Sequence, residues 1–216
     1  MINCVILDCD GTMFDTERLA KQAYEDFARS YSIELDQDFW RGICGTGLKF
    51  AMPQINRFPA IRDNIKTVMK MRLDYITEGA MSEKDALVKP GLFELLDACK
   101  KNNVKIAIAS SSHFEYVKML LDHMTREFEF DFILCGDMVK NKKPDPEIFN
   151  TVIENLHVNP AETLILEDSL MGLIASKKAN ALAGFIEDCV EKNDEIDQLL
   201  DYDFASFYDV IPLVQQ

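Results

Sequence analysis

The chain has 216 residues, 48% hydrophobic and 28% charged, which fits one soluble domain or a core domain carrying a smaller one. A formal net charge of −14 argues against a phosphate-backbone partner, so nucleic acid is excluded. No apolar run approaches the ~18 residues that a membrane span needs.

Residues 2–7 read as a short buried strand, and it leads straight into Asp8-Cys9-Asp10-Gly11-Thr12. Two carboxylates so close raise each other's protonation energy, and a fold keeps them where a cation, a shared proton or solvent compensates. From about Thr16 to Glu83 the pattern is helical. Ala20, Ala23, Phe27 and Tyr31 mark one apolar stripe, and Ile61, Ile65, Val68 and Ile76 mark another. Between them lies RGICGTGLKF, whose glycines indicate a loop. No strand-like alternation occurs in this stretch.

The character changes at Lys89-Pro90-Gly91. A helix over residues 92–102 precedes the strand KIAIA, and a helix over 114–123 precedes the strand FDFILC. A polar loop with Pro144-Asp145-Pro146 follows, then a helix over 148–156 and the strand TLIL. A helix over 170–179 and the strand LAGFI complete the pattern. Strands alternating with helices of about ten residues imply βαβ units. The expected fold class is therefore α/β, a Rossmann-like parallel sheet with an inserted α-helical unit. The core comprises residues 1–15 and 84–216 and the helical unit residues 16–83, placed over the strands' carboxyl ends, where such sheets bind ligands.

The six cysteines Cys4, Cys9, Cys44, Cys99, Cys135 and Cys189 are scattered singly, with no CxxC pair. They are expected to be reduced, mostly as small buried hydrophobes. With no basic leader ahead of the first strand, the expected location is cytoplasmic.

Four strand ends carry residues able to handle a phosphate or a metal. Asp8 and Asp10 follow the first strand, Ser110-Ser111-Ser112 follow KIAIA, Lys142-Lys143 lie in the loop after FDFILC, and Glu167-Asp168 follow TLIL. Taken singly, an Asp or Ser at a strand end reads as a cap and Lys143 as a solvated loop residue. Four such ends converging on one crevice are hard to explain as capping.

The stretches DCDGTMFDTE, ASSS, KKPDPEIF and LEDS, in that order, resemble the four motifs of the haloacid dehalogenase superfamily, in its phosphatase and phosphomutase branch. The similarity spans nearly the whole chain, and the helical unit resembles the family's α-helical cap. The resemblance implies a Mg²⁺-dependent phosphatase acting on a small phosphomonoester, such as a sugar phosphate; nothing in the sequence calls for an obligate partner, so a monomer is expected. The resemblance also implies Asp8 as nucleophile and Asp10 as general acid and base. Asp8, Asp10 through its carbonyl, and Asp168 would hold Mg²⁺, with Glu167 a weaker ligand or a group orienting waters. Ser110, the Ser111 amide and Lys143 would bind the phosphoryl group. Thr16, Thr46, Gly47 and Lys49 are candidates for substrate specificity, and Arg41, Arg57 and Arg72 for substrate contact. The similar β-phosphoglucomutases typically carry a histidine where this chain has Ala20, and an arginine in the cap loop, which here reads Gly45-Thr46-Gly47-Leu48-Lys49. Both departures favour hydrolysis over the mutase alternative. A receiver-like phospho-acceptor domain uses the same residue types but has no insertion after its first strand.

Overall fold

The computed structural model describes residues 1–44, 47–189 and 192–215. Its centre is a six-stranded, all-parallel sheet. In chain order the elements are β1 (Cys4–Leu7), helices α1 (Glu17–Ser30), α2 (Gln37–Ile43), α3 (Leu48–Ile55), α4 (Pro59–Asp63), α5 (Ile65–Ser82) and α6 (Leu92–Lys101), and strand β2 (Lys105–Ser110). Then come α7 (Phe114–Asp122), β3 (Phe132–Cys135), α8 (Glu147–Leu156), β4 (Thr163–Glu167), α9 (Leu170–Lys178), β5 (Leu182–Ile186), α10 (Asp194–Asp197), β6 (Tyr202–Phe204) and α11 (Ile211–Val214).

The strands lie in the order β3-β2-β1-β4-β5-β6. The direction of winding therefore reverses between β1 and β4, and a crevice opens there at the carboxyl ends. Successive residues of β1 face opposite sides of the sheet. Val5 and Leu7 are in register with Ile106 and Ile108 on β2 and with Leu164 and Leu166 on β4, forming one apolar layer with α6 and α7. Cys4 and Ile6 face the other side with Ala107, Ile165 and the α8 residues Phe149 and Val152. Burial on both faces is why these strands are continuous apolar runs rather than alternating ones.

Helices α1 to α5 carry a separate apolar cluster of Tyr24, Phe27, Phe39, Ala51, Ile55, Ile61 and Val68. The Phe39 ring packs edge-on against Tyr24 and Phe58, with centroids 5.6 and 5.2 Å away. The two chain crossings between this helical layer and the sheet run side by side. Asp15 N donates to Leu87 O at 2.8 Å and Lys89 N to Met13 O at 3.0 Å. Among the described residues no helix is long and apolar enough to cross a membrane.

The cysteines correct one expectation. Cys4, Cys9, Cys99 and Cys135 are free and buried, but Cys44 and Cys189 are joined in a disulfide. Strand β6 is an addition: three residues too short to show alternation, held by pairing with β5.

Candidate active site

Asp8 is the first residue after β1, fixed by its own N–H donating to Leu166 O on the neighbouring strand at 3.0 Å. From the loop before α8, the Lys143 ammonium reaches in and donates to Asp8 Oδ1 (2.5 Å), Glu167 Oε1 (2.6 Å) and Ala109 O (2.9 Å). All three of its protons are thereby used. The Phe149 ring lies 4.9 Å from the same nitrogen and closes it off from water. Burial pushes the Asp8 carboxyl up and the Lys143 ammonium draws it partway back, while Glu167 and Asp10 add to the rise.

Glu167 ends β4 and also accepts from Ser169 Oγ at 2.9 Å. Ser169 in turn caps α9 by accepting from Gly172 N at 3.0 Å. Asp168, next in the chain, accepts from Thr12 Oγ1 at 3.1 Å through Oδ1, while its Oδ2 is buried with no hydrogen-bond partner. Burial, then the charges of Asp8 and Glu167, push its carboxyl well up. One oxygen from each of Asp8, Glu167 and Asp168 lies within 4.8 Å of the others. Of these three buried carboxylates, Asp8 and Glu167 share the Lys143 ammonium, and one oxygen of Asp168 is left bare. This hard-oxygen set fits Mg²⁺, which needs few protein carboxylates and keeps waters.

Gly11 makes the crevice possible. Its φ of +77° turns the chain away from β1, and a Cβ there would collide with the Asp168 carboxylate. Lys89 secures the turn by donating to Gly11 O (2.8 Å), Glu187 O (3.2 Å) and Asp188 Oδ1 (2.8 Å). Gly172 is constrained in the same way, because a Cβ would overlap the Glu167 carboxylate. In an exposed helix Gly→Ala stabilises by ~1 kcal/mol. Gly172→Ala is expected to do the reverse, lowering Tm and pushing Glu167 off Lys143; thermal unfolding beside the wild type checks this.

Asp10 is oriented away from the acidic trio. Its Oδ1 accepts from Thr16 Oγ1 (2.8 Å) and Tyr116 OH (2.6 Å), and its Oδ2 from Ser112 Oγ (2.6 Å). Burial and the Asp10 charge raise the Tyr116 phenol, so it stays a donor. The clustered carboxylates are Asp8, Glu167 and Asp168, and three hydroxyls hold Asp10. Thr16 is 0% exposed, with its hydroxyl donating to Asp10.

Ser110 ends β2, buried, its Oγ accepting from Ser112 N at 3.1 Å, with Ser111 half-buried beside it. In the helical layer, Arg41 pairs with Asp38 and Arg57 with Asp36, both on the surface. Gly47 precedes α3 and Lys49 lies within it; both are exposed, with the Lys49 ammonium 5.9 Å from the Phe50 ring. Thr46 lies outside the described residues. Arg72 is different. It donates to Glu17 Oε1 at 2.9 Å and lines a cavity with Lys21, Tyr24, Trp40 and Cys44. Burial alone would lower its guanidinium, but the carboxylates of Glu17 and Asp10 more than offset this.

Thr12, Tyr116 and Lys89 have no role in the sequence reading, and Ser112 appears there only as part of the serine run. A signal existed for Ser112, inside the serine run, and for Thr12, inside the first motif. Tyr116 reaches Asp10 only because α7 starts immediately after β2.

Residues 5–184 match the family described as haloacid dehalogenase-like hydrolase. A phosphorylated carbohydrates phosphatase of Thermotoga maritima is 35% identical over 180 residues, 82% of this chain and 82% of that protein. The protein CbbY of Cereibacter sphaeroides is 30% identical over 190 residues, 83% of this chain and 81% of its own. Among solved structures, a β-phosphoglucomutase from Clostridium difficile superposes with a TM-score of 0.76 at 25% identity, covering 100% of this chain and 97% of its own.

Proposed function

The chain belongs to the haloacid dehalogenase-like hydrolases as a phosphatase, and from that premise we propose that it hydrolyses a small sugar phosphate through a phospho-aspartate at Asp8. The observation that carries this reading is the Lys143 ammonium held on Asp8 beside two further buried carboxylates. An ammonium in that place lets a phosphate dianion approach a carboxylate nucleophile. The substrate class follows the Thermotoga maritima relative, whose name specifies phosphorylated carbohydrates.

In the first step an Asp8 oxygen forms a bond to phosphorus as the bond to the leaving alkoxide oxygen breaks. The proton on Asp10 passes to that oxygen, and the alcohol leaves. In the second, Asp10 takes a proton from a water whose oxygen attacks phosphorus. The bond to Asp8 breaks, phosphate departs, and both carboxyl groups regain their starting state. The Ser110 hydroxyl and the Ser111 N–H would hold phosphoryl oxygens, and Lys143 would offset the charge building on them. Bound by Asp8 and Asp168, with Glu167 beside them, Mg²⁺ would supply further positive charge against the phosphoryl oxygens. Together these effects must supply on the order of 20 kcal/mol, because phosphate monoesters hydrolyse so slowly unaided. Hydrolysis is favoured over mutase transfer because Ala20, a buried methyl lining the cavity beside Arg72, has no group to move a proton.

Tyr116→Phe removes one hydrogen bond to Asp10 without opening a hole. It is expected to lower kcat by about ten- to a hundredfold with KM unchanged, the equivalent of one hydrogen bond to a charged group. Steady-state kinetics on the preferred substrate reads this directly. The proposal itself is tested by phosphate release from a panel of sugar phosphates, nucleoside monophosphates and phosphoglycolate, with Mg²⁺ or with EDTA. Release in the Mg²⁺ arm alone, concentrated on sugar phosphates, is the expected pattern. Equal release in EDTA would contradict it.

A further inference from the structure

Cys44 and Cys189 are 145 positions apart, yet their sulfurs are joined and their Cα atoms lie 5.8 Å apart. Disulfides span that separation without backbone movement. Cys44 directly follows α2 in the helical layer, and Cys189 lies three residues past β5 on the sheet core. The other four cysteines are chemically quiet. Burial pushes the Cys4 and Cys99 thiols up to about 12, Cys135 to about 11 and Cys9 well above its ordinary value. A thiol so held yields little thiolate and does not exchange.

The position of the pair gives it a consequence. The chain passes between helical layer and sheet only through two crossings, paired with each other around Phe14 and Val88. With two bonded crossings as the only backbone links, the helical layer is free to turn about them, as lids that admit substrate and release product do. A third covalent tie between α2 and the loop after β5 removes that freedom. We propose that Cys44 and Cys189 form a redox modification site that latches the helical cap over the active site, closed as the disulfide and free as the dithiol. The effect on turnover rests on the hydrolase reading; the latch does not.

The oxidant is a low-molecular-weight disulfide. The half-buried Cys189, as thiolate, attacks one sulfur of that disulfide and expels a thiolate, leaving a mixed disulfide on Cys189. The Cys44 thiolate then attacks the Cys189 sulfur and expels the second thiolate. The two protein thiols give up two protons and two electrons, and the small disulfide becomes two thiols. A dithiol reverses both steps. Disulfides in reducing compartments are usually of this transient, sensing kind.

The test uses the full chain, equilibrated with glutathione disulfide or with dithiothreitol, then alkylated and digested. Expected are a Cys44–Cys189 linked peptide in the oxidised sample and slower amide exchange in α1 and α2 than in the reduced one. Phosphate release should fall on the order of tenfold or more on oxidation and return with dithiothreitol. Cys189→Ser should yield no linked peptide and the same activity in both conditions. Absence of the linked peptide, or its presence with unchanged amide exchange, would overturn the latch. A linked peptide with slowed exchange but no phosphate release in either state would sustain the latch and count against the hydrolase reading alone.

Discussion

Asp8→Asn is expected to reduce phosphate release by a factor on the order of 10⁵ or more while the protein folds normally. The magnitude is that of removing a covalent nucleophile whose partners act only through it. Asparagine has the same shape and keeps an oxygen for the Lys143 ammonium, so the 2.5 Å contact has a substitute. Burial already disfavours the ionised Asp8 carboxyl, so the neutral amide is expected to leave Tm equal or higher. Loss of turnover with unimpaired stability is the signature of a group kept for chemistry. Turnover within about tenfold of wild type would remove Asp8 from the nucleophile's role.

Lys143→Met is expected to damage both stability and activity. The ammonium is the shared partner of two buried carboxylates, Asp8 and Glu167, and removing one partner of a buried ion pair costs about 3–5 kcal/mol. The loss is pH-dependent, and its sign is fixed by the acids left behind. Burial raises Asp8 above its ordinary 3.8, and Lys143 is what lowers it again. Without the lysine the folded state binds the proton more tightly than the unfolded chain does. Stability is then greatest below the unfolded value and is lost as pH rises through the folded one. With the lysine in place Asp8 is already raised to about 8, so the added loss falls above that value, and the Tm deficit of Lys143→Met should be larger at pH 9.5 than at pH 7, measured in EDTA. An equal deficit at both would mean that the ammonium contributes by packing alone.

Much of this site is legible in the sequence because its parts sit at strand ends. Asp8, Ser110 and Glu167 close runs that are apolar on both faces, and the parallel order aligns those ends in one crevice. What sequence leaves open is contact at long range. Three insertion arginines look alike in the sequence, yet only Arg72 occupies the stripe of Val68 and Ile76, four residues from each, and so turns inward on α5. That spacing was available as a signal. The Tyr116 bond to Asp10 spans 106 positions and depends on the angle at which α7 leaves β2. The Cys44–Cys189 pairing spans 145 and depends on how the helical layer sits on the sheet. Neither carries a local pattern.

The proposed hydrolysis passes through a covalent phosphoryl group on Asp8. The direct measurement is to turn the enzyme over on its preferred sugar phosphate with Mg²⁺, treat it with hydroxylamine, and map the modified residue by peptide mass. A hydroxamate is expected at Asp8, absent when EDTA replaces Mg²⁺ and absent in Asp8→Asn. Rapid phosphate release with Asp8 unmodified, or a hydroxamate at another carboxylate, would contradict it.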